Sequence, residues 1–463
     1  MSRSAADTPT IAAISTPPGV GGIGIIRMSG PQSLHILQTV FTPHSPSCLF
    51  ASHQLYYGRI VRPIDGKIMD EVLAVYMRSP RTYTREDVVE IHCHGSFLVL
   101  QNILELILSL GVSLADPGEF TKRAYLNGRI DLTKAEAVID ILTARTRKGV
   151  DLAQEQLAGA LYSRIDSMRN ELIRMRAVVE VAIDFPDEDV EIINQEHLQE
   201  QLRKNVAEPL WQLLQGADNG KIFRDGISVV IVGLPNVGKS SLLNTLLQEE
   251  RALVTAIPGT TRDTIEEYID IEGIPVRIID TAGIREHADE VESLGIERAR
   301  TQINLADLVL FMVDGSQKLT VAVTDLYRAI SHKPLIVVIN KIDLIEDDCS
   351  DDCGLFQGRT LVRISAKKQT GIAALKNSIF GKVIGGKEQW QEDACAPNIR
   401  HKDALIRAEN ACTRVRDGLQ CGITNDLLAV DLQECLDQLD EIVGATTTED
   451  ILDAIFTKFC IGK

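Results

Sequence analysis

The chain has 463 residues, 44% of them hydrophobic and 24% charged, a balance typical of a globular protein that excludes a disordered or fibrous one. A single hydrophobic core rarely grows to this size, so we expect two or three domains. The formal net charge of −17 excludes binding of nucleic acid through overall charge, so such a partner would need a local basic patch or a second protein.

The start of the chain and its cysteines bear on the compartment. Residues 1–10 are polar and lack the apolar core of a signal peptide. No apolar run reaches the roughly 18 residues of a membrane span. Nine scattered cysteines predict reduced thiols. We therefore expect a cytoplasmic protein with no membrane contact.

The first 120 residues alternate short β-branched runs with turns. This pattern predicts strands at 23–27, 71–76 and 87–91 and an apolar helix over 97–110. We expect a small α/β domain over residues 1–120.

Helical periodicity follows, and the segment from about 132 to 183 is interpreted as ending in one long helix. Its apolar face is formed by Leu157, Leu161, Ile165, Met168, Leu172 and Val179. The acidic segment 184–189, which contains a proline, ends this helix. A further helix over about 197–214 leads to a glycine-containing junction at 216–220.

A β/α alternation comes next. Five apolar runs of strand length, mostly separated by helical segments, predict a mostly parallel sheet covered on both faces. These runs are 228–232, 276–279, 308–313, 335–339 and 361–364.

Helices return after about residue 385, with three apolar faces that have no core of their own. The simplest arrangement packs them on the helices of 121–215. We therefore expect a discontinuous helical domain, 121–220 plus 383–463, with a third domain inserted at 221–382. The fold class is a multidomain combination of α/β and all-α parts.

The segment Gly233-Leu-Pro-Asn-Val-Gly-Lys-Ser240 follows a predicted strand and precedes a predicted helix, as a P-loop requires. Its glycines let backbone N–H groups approach phosphate oxygens, and the helix N-terminus adds a favourable dipole. We expect Lys239 on the β- and γ-phosphates and the Ser240 hydroxyl on Mg²⁺. The phosphate-binding residues are Asn236, Val237, Gly238, Lys239, Ser240 and Ser241.

Two further segments match the switches of a GTPase. Gly259-Thr260-Thr261-Arg262-Asp263 predicts switch I, with Thr261 as a second Mg²⁺ ligand and catalytic residue. In the second, Asp280 would hold a metal-bound water and the N–H of Gly283 would meet the γ-phosphate. That motif comprises Asp280, Thr281, Ala282 and Gly283.

The base-binding motifs complete the set. They are Asn340-Lys341-Ile342-Asp343 and Ser365-Ala366-Lys367. A carboxylate at Asp343 accepts from N1–H and N2–H of guanine, a pattern that adenine lacks. With the P-loop and the Asp280–Gly283 motif they make four motifs in series, which predict a Ras-like P-loop G domain, with a doubly wound and mostly parallel sheet, that binds GTP rather than ATP.

One expected residue is missing, because Ile284 stands where many GTPases carry a water-orienting glutamine. The acidic residues that follow are candidates for that task, although each also fits a solvated switch surface. They are Glu286, Asp289, Glu290 and Glu292.

The chain resembles the MnmE (TrmE) family of tRNA-modification GTPases. The similarity rests on the P-loop, the Gly-Thr-Thr-Arg-Asp switch and the terminal Cys460-Ile-Gly-Lys463. It extends over the whole chain through the segments 16–24, 118–124 and 184–188.

The resemblance implies a homodimer formed through an N-terminal domain that binds 5-formyl- or 5,10-methylene-tetrahydrofolate. It also implies an MnmG-like flavoprotein partner in a heterotetramer, which modifies C5 of the wobble uridine of certain tRNAs and contacts most of the tRNA. The folate contacts would be Arg27, Glu90, Arg129 and Lys463. Relatives carry Lys where Arg129 stands, so the charge is kept while the contact geometry differs.

The resemblance also supplies the missing catalytic group. Glu292 corresponds to the residue that orients the attacking water. The K⁺ ligands would be Asn236, Thr255, Ile257 and Thr260. K⁺ beside the phosphates takes the place of an arginine finger.

Other signals keep two interpretations. Cys460 is either a catalytic nucleophile or a structural part of the folate pocket.

His92 and His94 share one face of a strand, but no third metal ligand is evident, so ordinary histidines are favoured. The acidic group at 184–189 is better explained as a helix end than as a metal site. Gly19 to Gly24 spells a dinucleotide motif, but a strand follows it, so we reject that reading.

A rival function is a ribosome-assembly GTPase that modifies nothing. Such switches share the Pro-Asn-Val-Gly-Lys-Ser loop but usually carry a basic RNA-binding module. The net charge of −17 and the absence of a basic Gly-x-x-Gly clamp weigh against this reading.

Overall fold

The computed structural model describes residues 8–45, 50–185, 194–250, 267–280, 301–345, 353–385 and 395–463. Over these residues the chain forms two sheets and a set of packed helices. The multidomain α/β plus all-α fold class is thereby confirmed.

The N-terminal sheet has seven strands in the order β3-β4-β5-β6-β2-β1-β7, and all its neighbours are antiparallel except β1 and β7. The strands are β1 Ile11–Ile14, β2 Gly21–Ser29, β3 Phe41–Pro43, β4 Gln54–Val61, β5 Ile68–Met77, β6 Val88–Gly95 and β7 Ser113–Leu114. Two helices, α1 Ser33–Val40 and α2 Phe97–Ser109, contribute apolar side chains to the core on one face. Strand alternation sends every second side chain to that face.

The other face of this sheet is covered at one end only. Phe120, on helix α3 (Glu119–Leu126), packs beside β1 in a small buried cluster. Farther along the sheet, Leu55, Tyr57 and Leu73 are 57%, 49% and 39% exposed. Contiguous exposed apolar side chains of this kind usually mark a binding surface.

Within the described residues, eight helices and a π-helical segment follow the first sheet or close the chain. They are α4 Leu132–Thr143, α5 Arg147–Ala158, α6 Ala160–Asp184, α7 Gln195–Leu202, the π segment Arg203–Ala207, α8 Glu208–Asp225, α12 Ile399–Cys421, α13 Asn425–Val443 and α14 Glu449–Phe456. Helices α6, α7, α8, α12 and α13 share one buried core. The prediction that the C-terminal helices pack on the earlier ones is therefore confirmed.

The single long helix predicted before residue 184 is wrong. Gly159 adopts φ +101°, a conformation that favours glycine, and separates α5 from α6. Leu157 therefore belongs to α5 and not to the face that starts at Leu161. The junction predicted at 216–220 is also wrong, because α8 continues through it to Asp225.

The second sheet has six strands in the order β13-β12-β11-β8-β10-β9, all parallel except the β9–β10 hairpin. The strands are β8 Ile227–Val232, β9 Glu267–Ile271, β10 Ile274–Asp280, β11 Leu308–Asp314, β12 Leu335–Asn340 and β13 Thr360–Arg363. Its helices are α9 Lys239–Glu250, α10 Val321–Ile330 and α11 Ile372–Ile384, and residues 301–305 are also helical. Buried apolar clusters cover both faces, so the predicted mostly parallel, doubly covered sheet is confirmed.

Among the described helices, none is long and apolar enough to cross a membrane.

Candidate functional site

The P-loop lies between the end of β8 and the start of α9 at Lys239. Asn236 and Gly238 have φ values of +64° and +98°, which turn the chain tightly at the sheet's carboxyl edge. A Cβ at Gly238 would collide with the side-chain amide of Asn340. Only glycine allows this approach between the phosphate loop and the base motif, so the loop has the shape needed to wrap phosphate oxygens.

Lys239 lies at the first turn of α9 and its ammonium group points back into the loop. Nζ donates to the carbonyl oxygens of Gly233 and Leu234, over 3.1 and 3.0 Å. Ser240 follows on the same turn and is exposed. A cation, a hydroxyl and a helix N-terminus at one edge suit a nucleotide phosphate with its Mg²⁺.

Asn340 has both amide atoms engaged with the protein. It is 2% exposed, its Nδ2 donates to Val237 O at 2.8 Å, and its Oδ1 accepts from Ala366 N at 3.0 Å. This residue therefore ties the P-loop to the loop at 365–367 and fixes the relative position of the two motifs.

Asp343 is oriented by its neighbour Ser365. The serine hydroxyl donates to Asp343 Oδ1 over 2.6 Å, and this bond lowers the pKa of the carboxyl below its usual value. The carboxylate stays ionised and acceptor-only, which matches the paired N–H donors of guanine. Lys341, between the two motif residues, pairs with Asp314 at 2.6 Å.

Several predicted nucleotide and K⁺ residues lie outside the described residues. They are Thr255, Ile257, Thr260, Thr261, Thr281, Ala282, Gly283 and Glu292. Asp280 is described as the last residue of β10, at the same carboxyl edge as the P-loop.

A second cluster forms on the N-terminal sheet. Arg27 on β2 faces Glu90 on β6, and the two side chains form a salt bridge of 2.8 Å. The guanidinium also lies 5.8 Å from the centroid of the Phe120 ring. Because both charged side chains are about one-fifth exposed, a ligand from solvent reaches them.

The C-terminal tetrapeptide docks on this cluster. Gly462 O accepts from Ser15 Oγ at 3.1 Å and from Arg27 Nη1 at 3.4 Å. Lys463 O accepts from Phe120 N at 3.2 Å. Gly462 has φ +92°, and a Cβ there would collide with Ile14 O. The structure thus brings Gly462, the residue before Lys463, into contact with Arg27, which is 435 positions away in sequence.

Arg129 lies in a neighbouring pocket, and within the described residues it makes no direct contact with Arg27. Its guanidinium is 4.8 Å from the Tyr83 ring, and Tyr83 Oη lies 3.0 Å from Thr121 Oγ1, next to Phe120. The pocket has a volume of about 520 Å³. It is lined by His53, Met77, Pro80, Arg81, Thr82, Tyr83, Arg85 and Arg129.

Sequence reasoning missed Arg81 and Arg85. They flank Tyr83, and within the described part of the chain neither they nor Arg129 forms an ion pair with a carboxylate. Three such guanidinium groups around one cavity make it suited to a carboxylate or phosphate ligand. The signal available was the alternation Arg81-Thr-Tyr-Thr-Arg85 in an acidic chain.

The remaining candidates have ordinary surroundings. His94 Nδ1 lies 2.6 Å from Asp70 and His92 Nε2 lies 3.5 Å from Glu90. Cys460 is exposed, and its carbonyl oxygen accepts from Gly118 N at 3.4 Å. Helix α6 ends at Asp184, as predicted.

Comparisons with known proteins identify the family of the chain. Residues 10–129 match the family model of the GTP-binding protein TrmE N-terminus, and residues 132–460 match that of the MnmE helical domain. Solved structures match part of the chain, among them Aquifex aeolicus Era bound to GDP and aluminium fluoride. That match has 32% identity, covers 40% of this chain and 66% of Era, and has a TM-score of 0.27.

Curated relatives match over the full length. A tRNA modification GTPase MnmE from Desulfotalea psychrophila is 60% identical over 468 residues, covering 100% of both chains. Its counterpart from Geobacter sulfurreducens is 48% identical, covering 98% of this chain and 99% of the relative. The chain therefore belongs to the MnmE (TrmE) family of tRNA modification GTPases.

Proposed function

We propose that this GTPase, together with an MnmG-like flavoprotein, adds a carboxymethylaminomethyl-type group to C5 of the wobble uridine of certain tRNAs. The one-carbon unit comes from 5-formyl- or 5,10-methylene-tetrahydrofolate. The observation that carries the proposal is the docking of the C-terminal tail on the Arg27–Glu90 pair. The contact supports the proposal because the family resemblance assigns Arg27, Glu90 and Lys463 to folate, and Gly462, next to Lys463, accepts a hydrogen bond from Arg27.

The chemistry of the cluster fits a folate. Glu90 offers carboxylate oxygens to an aminopyrimidine edge, while Arg27 and Lys463 provide cationic groups. Arg129, Arg81 and Arg85 suit the glutamate carboxylates of the folate tail. The folate supplies the one-carbon group, and these side chains bind and orient it. Cys460 remains a proposed nucleophile or pocket residue, since it is the exposed first residue of the C-terminal tetrapeptide.

GTP hydrolysis in this proposal uses K⁺ and Mg²⁺. Asn236, exposed at the turn of the P-loop, would share K⁺ with Thr255, Ile257 and Thr260 when two G domains associate. Glu292 would orient the attacking water, since Ile284 has no polar group to do so. Ser240 and Thr261 would hold Mg²⁺, and Lys239 would stabilise charge on the phosphates.

The proposed assembly is a homodimer through the N-terminal sheet, joined by the flavoprotein in a heterotetramer. The open face around Leu55, Tyr57 and Leu73 supports the first contact. The net charge of −17 supports tRNA binding mainly through the partner. A cytoplasmic location suits an enzyme that acts on tRNA.

The test is mass spectrometry of tRNA nucleosides from cells that lack the chain, complemented with wild type, Arg27→Ala or Arg62→Ala. Arg62 is an exposed arginine paired with Asp65 in a turn, and it serves as the matched control. We expect wild type and Arg62→Ala to restore C5-aminomethyl-type uridines and Arg27→Ala to fail. Unchanged nucleosides on deletion, with co-sedimentation of the chain and ribosomal subunits, would replace this proposal with a ribosome-assembly role.

The K⁺ part has its own test. Asn236 has φ +64°, so Asn236→Gly removes the amide without straining the turn, whereas Asn236→Ala adds strain. We expect K⁺ to accelerate wild-type GTP hydrolysis far more than Na⁺, and Asn236→Gly and Glu292→Ala to hydrolyse slowly in both salts. Equal wild-type rates in K⁺ and Na⁺ would exclude a K⁺ site.

A further inference from the structure

Strands β8 and β10 are parallel neighbours that begin at the helical domain and end at the nucleotide site. Strand β8 continues from helix α8 through Gly226 and leads into the P-loop. Strand β10 begins at the turn of the β9–β10 hairpin and ends at Asp280. At about 3.3 Å per residue, seven residues of strand span roughly 23 Å. Each strand therefore joins the base of the G domain to the edge where phosphate binds.

The turn of this hairpin contacts the corner between α4 and α5. Thr146 Oγ1 donates to Gly273 O over 2.9 Å. Gly273 has φ +86°, and a Cβ there would approach Lys148 Cβ to 2.8 Å. The turn and the corner are thus in direct contact.

Beside the turn, the guanidinium of Arg145 stacks on Tyr268 of β9, with Cζ 3.4 Å from the ring centroid. This distance is well inside the roughly 6 Å range of a cation–π contact. The stack fixes the strand that leads back toward the switch I segment, while Thr146 fixes the turn.

Buried side chains extend the contact below the surface. Leu152 of α5 and Phe223 of α8 belong to the same apolar cluster as Ile271, Ile274 and Val276 of the hairpin. The hairpin therefore shares a buried apolar cluster with helices α5 and α8. Since packed interiors resist continuous deformation, a shift of the hairpin requires a shift of the α4–α5 corner.

We propose that the Arg145–Tyr268 stack and the Thr146–Gly273 hydrogen bond make the β9–β10 hairpin the element that couples the nucleotide state to the helical domain. Arg145 and Thr146 are positioning residues in this role and do not touch the nucleotide. Coupling of this kind needs two sites and one element whose position both sites bias. Here the hairpin is that element, with Asp280 at one end and the α4–α5 corner at the other.

Full-length variants test the proposal. Arg145→Ala and Tyr268→Ala remove the stack, whereas Tyr268→Phe keeps the ring. Arg147→Ala removes a neighbouring exposed arginine on the same corner and is the control. Hydrogen exchange is followed by mass spectrometry with GDP and with a non-hydrolysable GTP analogue, and GTP hydrolysis is measured alongside. Neither readout depends on the tRNA chemistry proposed above.

In wild type, Tyr268→Phe and Arg147→Ala, we expect the GTP analogue to change exchange in residues 132–158 as well as in the G domain. In Arg145→Ala and Tyr268→Ala, the change in hydrogen exchange that the GTP analogue causes in residues 132–158 should be at least about fivefold smaller. The rate of GTP hydrolysis should stay within about threefold of wild type. If the contact were only structural, the two variants would hydrolyse GTP more slowly or melt at a lower temperature. The GTP analogue would still change hydrogen exchange in residues 132–158 as well as in the G domain. An unchanged response in both stack variants, or no response of 132–158 in wild type, would overturn the proposal.

Discussion

The hydroxyl of Ser365 donates a 2.6 Å hydrogen bond to Asp343 Oδ1, joining two motifs that are 22 residues apart. The bond holds one carboxylate oxygen, Oδ1. It also lowers the pKa of Asp343, so the group is ionised throughout the physiological range. We expect base specificity to depend on this carboxylate, which Ser365 holds before any nucleotide binds.

Asp343→Asn should convert the base preference from guanine to xanthine. The substitution places an amide donor opposite the guanine N–H donors and loses charge-assisted hydrogen bonds of about 2–4 kcal/mol. That loss corresponds to a decrease in GTP affinity of roughly 30- to 1,000-fold. Titration with fluorescent GTP and XTP measures it, with Ser365→Ala expected to give a smaller loss for GTP and no gain for XTP. Unchanged GTP affinity in Asp343→Asn would mean that this carboxylate does not bind the base.

The position of the C-terminal tail leads to a second prediction. Gly462 has φ +92° and no room for a Cβ beside Ile14 O, so Gly462→Ala should displace the tail from Arg27. We expect binding of 5-formyl-tetrahydrofolate, measured by calorimetry, to weaken at least tenfold, with GTP hydrolysis unchanged. Lys458→Ala, an exposed change on the same segment, is the control. Normal folate binding by Gly462→Ala would separate the tail from the folate site.

Sequence reasoning worked where the relevant residues are close along the chain. The P-loop and the base motifs are short runs whose local geometry is dictated by glycine, by the strand before and by the helix or turn after. The five parallel strands of the second sheet followed from apolar runs, because buried parallel strands are apolar throughout. In the N-terminal sheet only β2, β5 and β6 were predicted. Asp343 and Ser365 were paired by motif, and the structure places them in contact.

Contacts over long separations could not be predicted in this way. The Gly462–Ser15 bond spans 447 positions, and no periodicity reports it. The helix boundary at Gly159 was missed because apolar spacing continues across it, while the left-handed backbone that ends α5 leaves no trace in that pattern. Arg81 and Arg85 looked like ordinary surface charges, and only the fold shows them around one cavity with Arg129.

The open face of the N-terminal sheet gives a third prediction. Tyr57 and Leu73 are direct cross-strand neighbours, 49% and 39% exposed, and the next charged side chains on this face, Arg59 and Glu71, pair with each other. If two copies meet there, Leu73→Asp buries an unpaired carboxylate twice in one interface, at a cost of at least about 2 kcal/mol each. Light scattering after size exclusion should then show a monomer. Ile64→Asp, at a turn where Ile64 is 94% exposed, should remain a dimer.

A dimer that persists in Leu73→Asp would place the interface elsewhere. The exposed apolar side chains of β4 and β5 would then need another occupant.

The last prediction concerns Asp140, in the junction between the helical domain and the G domain. Glu136, one turn earlier on α4, accepts hydrogen bonds from Asn398, Arg400 and His401. Burial alone would raise the pKa of Glu136, but His401 and Arg400 hold it well below its usual range.

Among the residues that the structure describes, none donates a hydrogen bond to Asp140 in this way. Burial raises the pKa of Asp140 from its ordinary 3.8 to about 6, with Arg224 opposing and Glu136 and Asp225 reinforcing the shift. Between these two values the folded state binds more protons at this site than the unfolded state does. Stability contributed by the site therefore falls as pH rises from about 4 to 6, and the full cost is present above pH 6.

Asp140→Asn should remove this cost, because the amide carries no charge at any pH and Arg224 keeps its pair with Asp225 at 2.9 Å. Two pKa units correspond to about 2.7 kcal/mol, which solvent screening of this partly buried group reduces to roughly 1–2 kcal/mol. The melting temperatures of Asp140→Asn and of wild type, measured from pH 4 to 8, should coincide near pH 4. They should diverge through pH 6 and stay higher in the variant at pH 7 and above. Asp151→Asn, an exposed change on α5, should track wild type throughout. If the melting temperatures of wild type and Asp140→Asn followed parallel curves against pH, Asp140 would titrate as an ordinary surface carboxylate. Glu136 and its three donors would then be the charged contact that determines the stability of this junction.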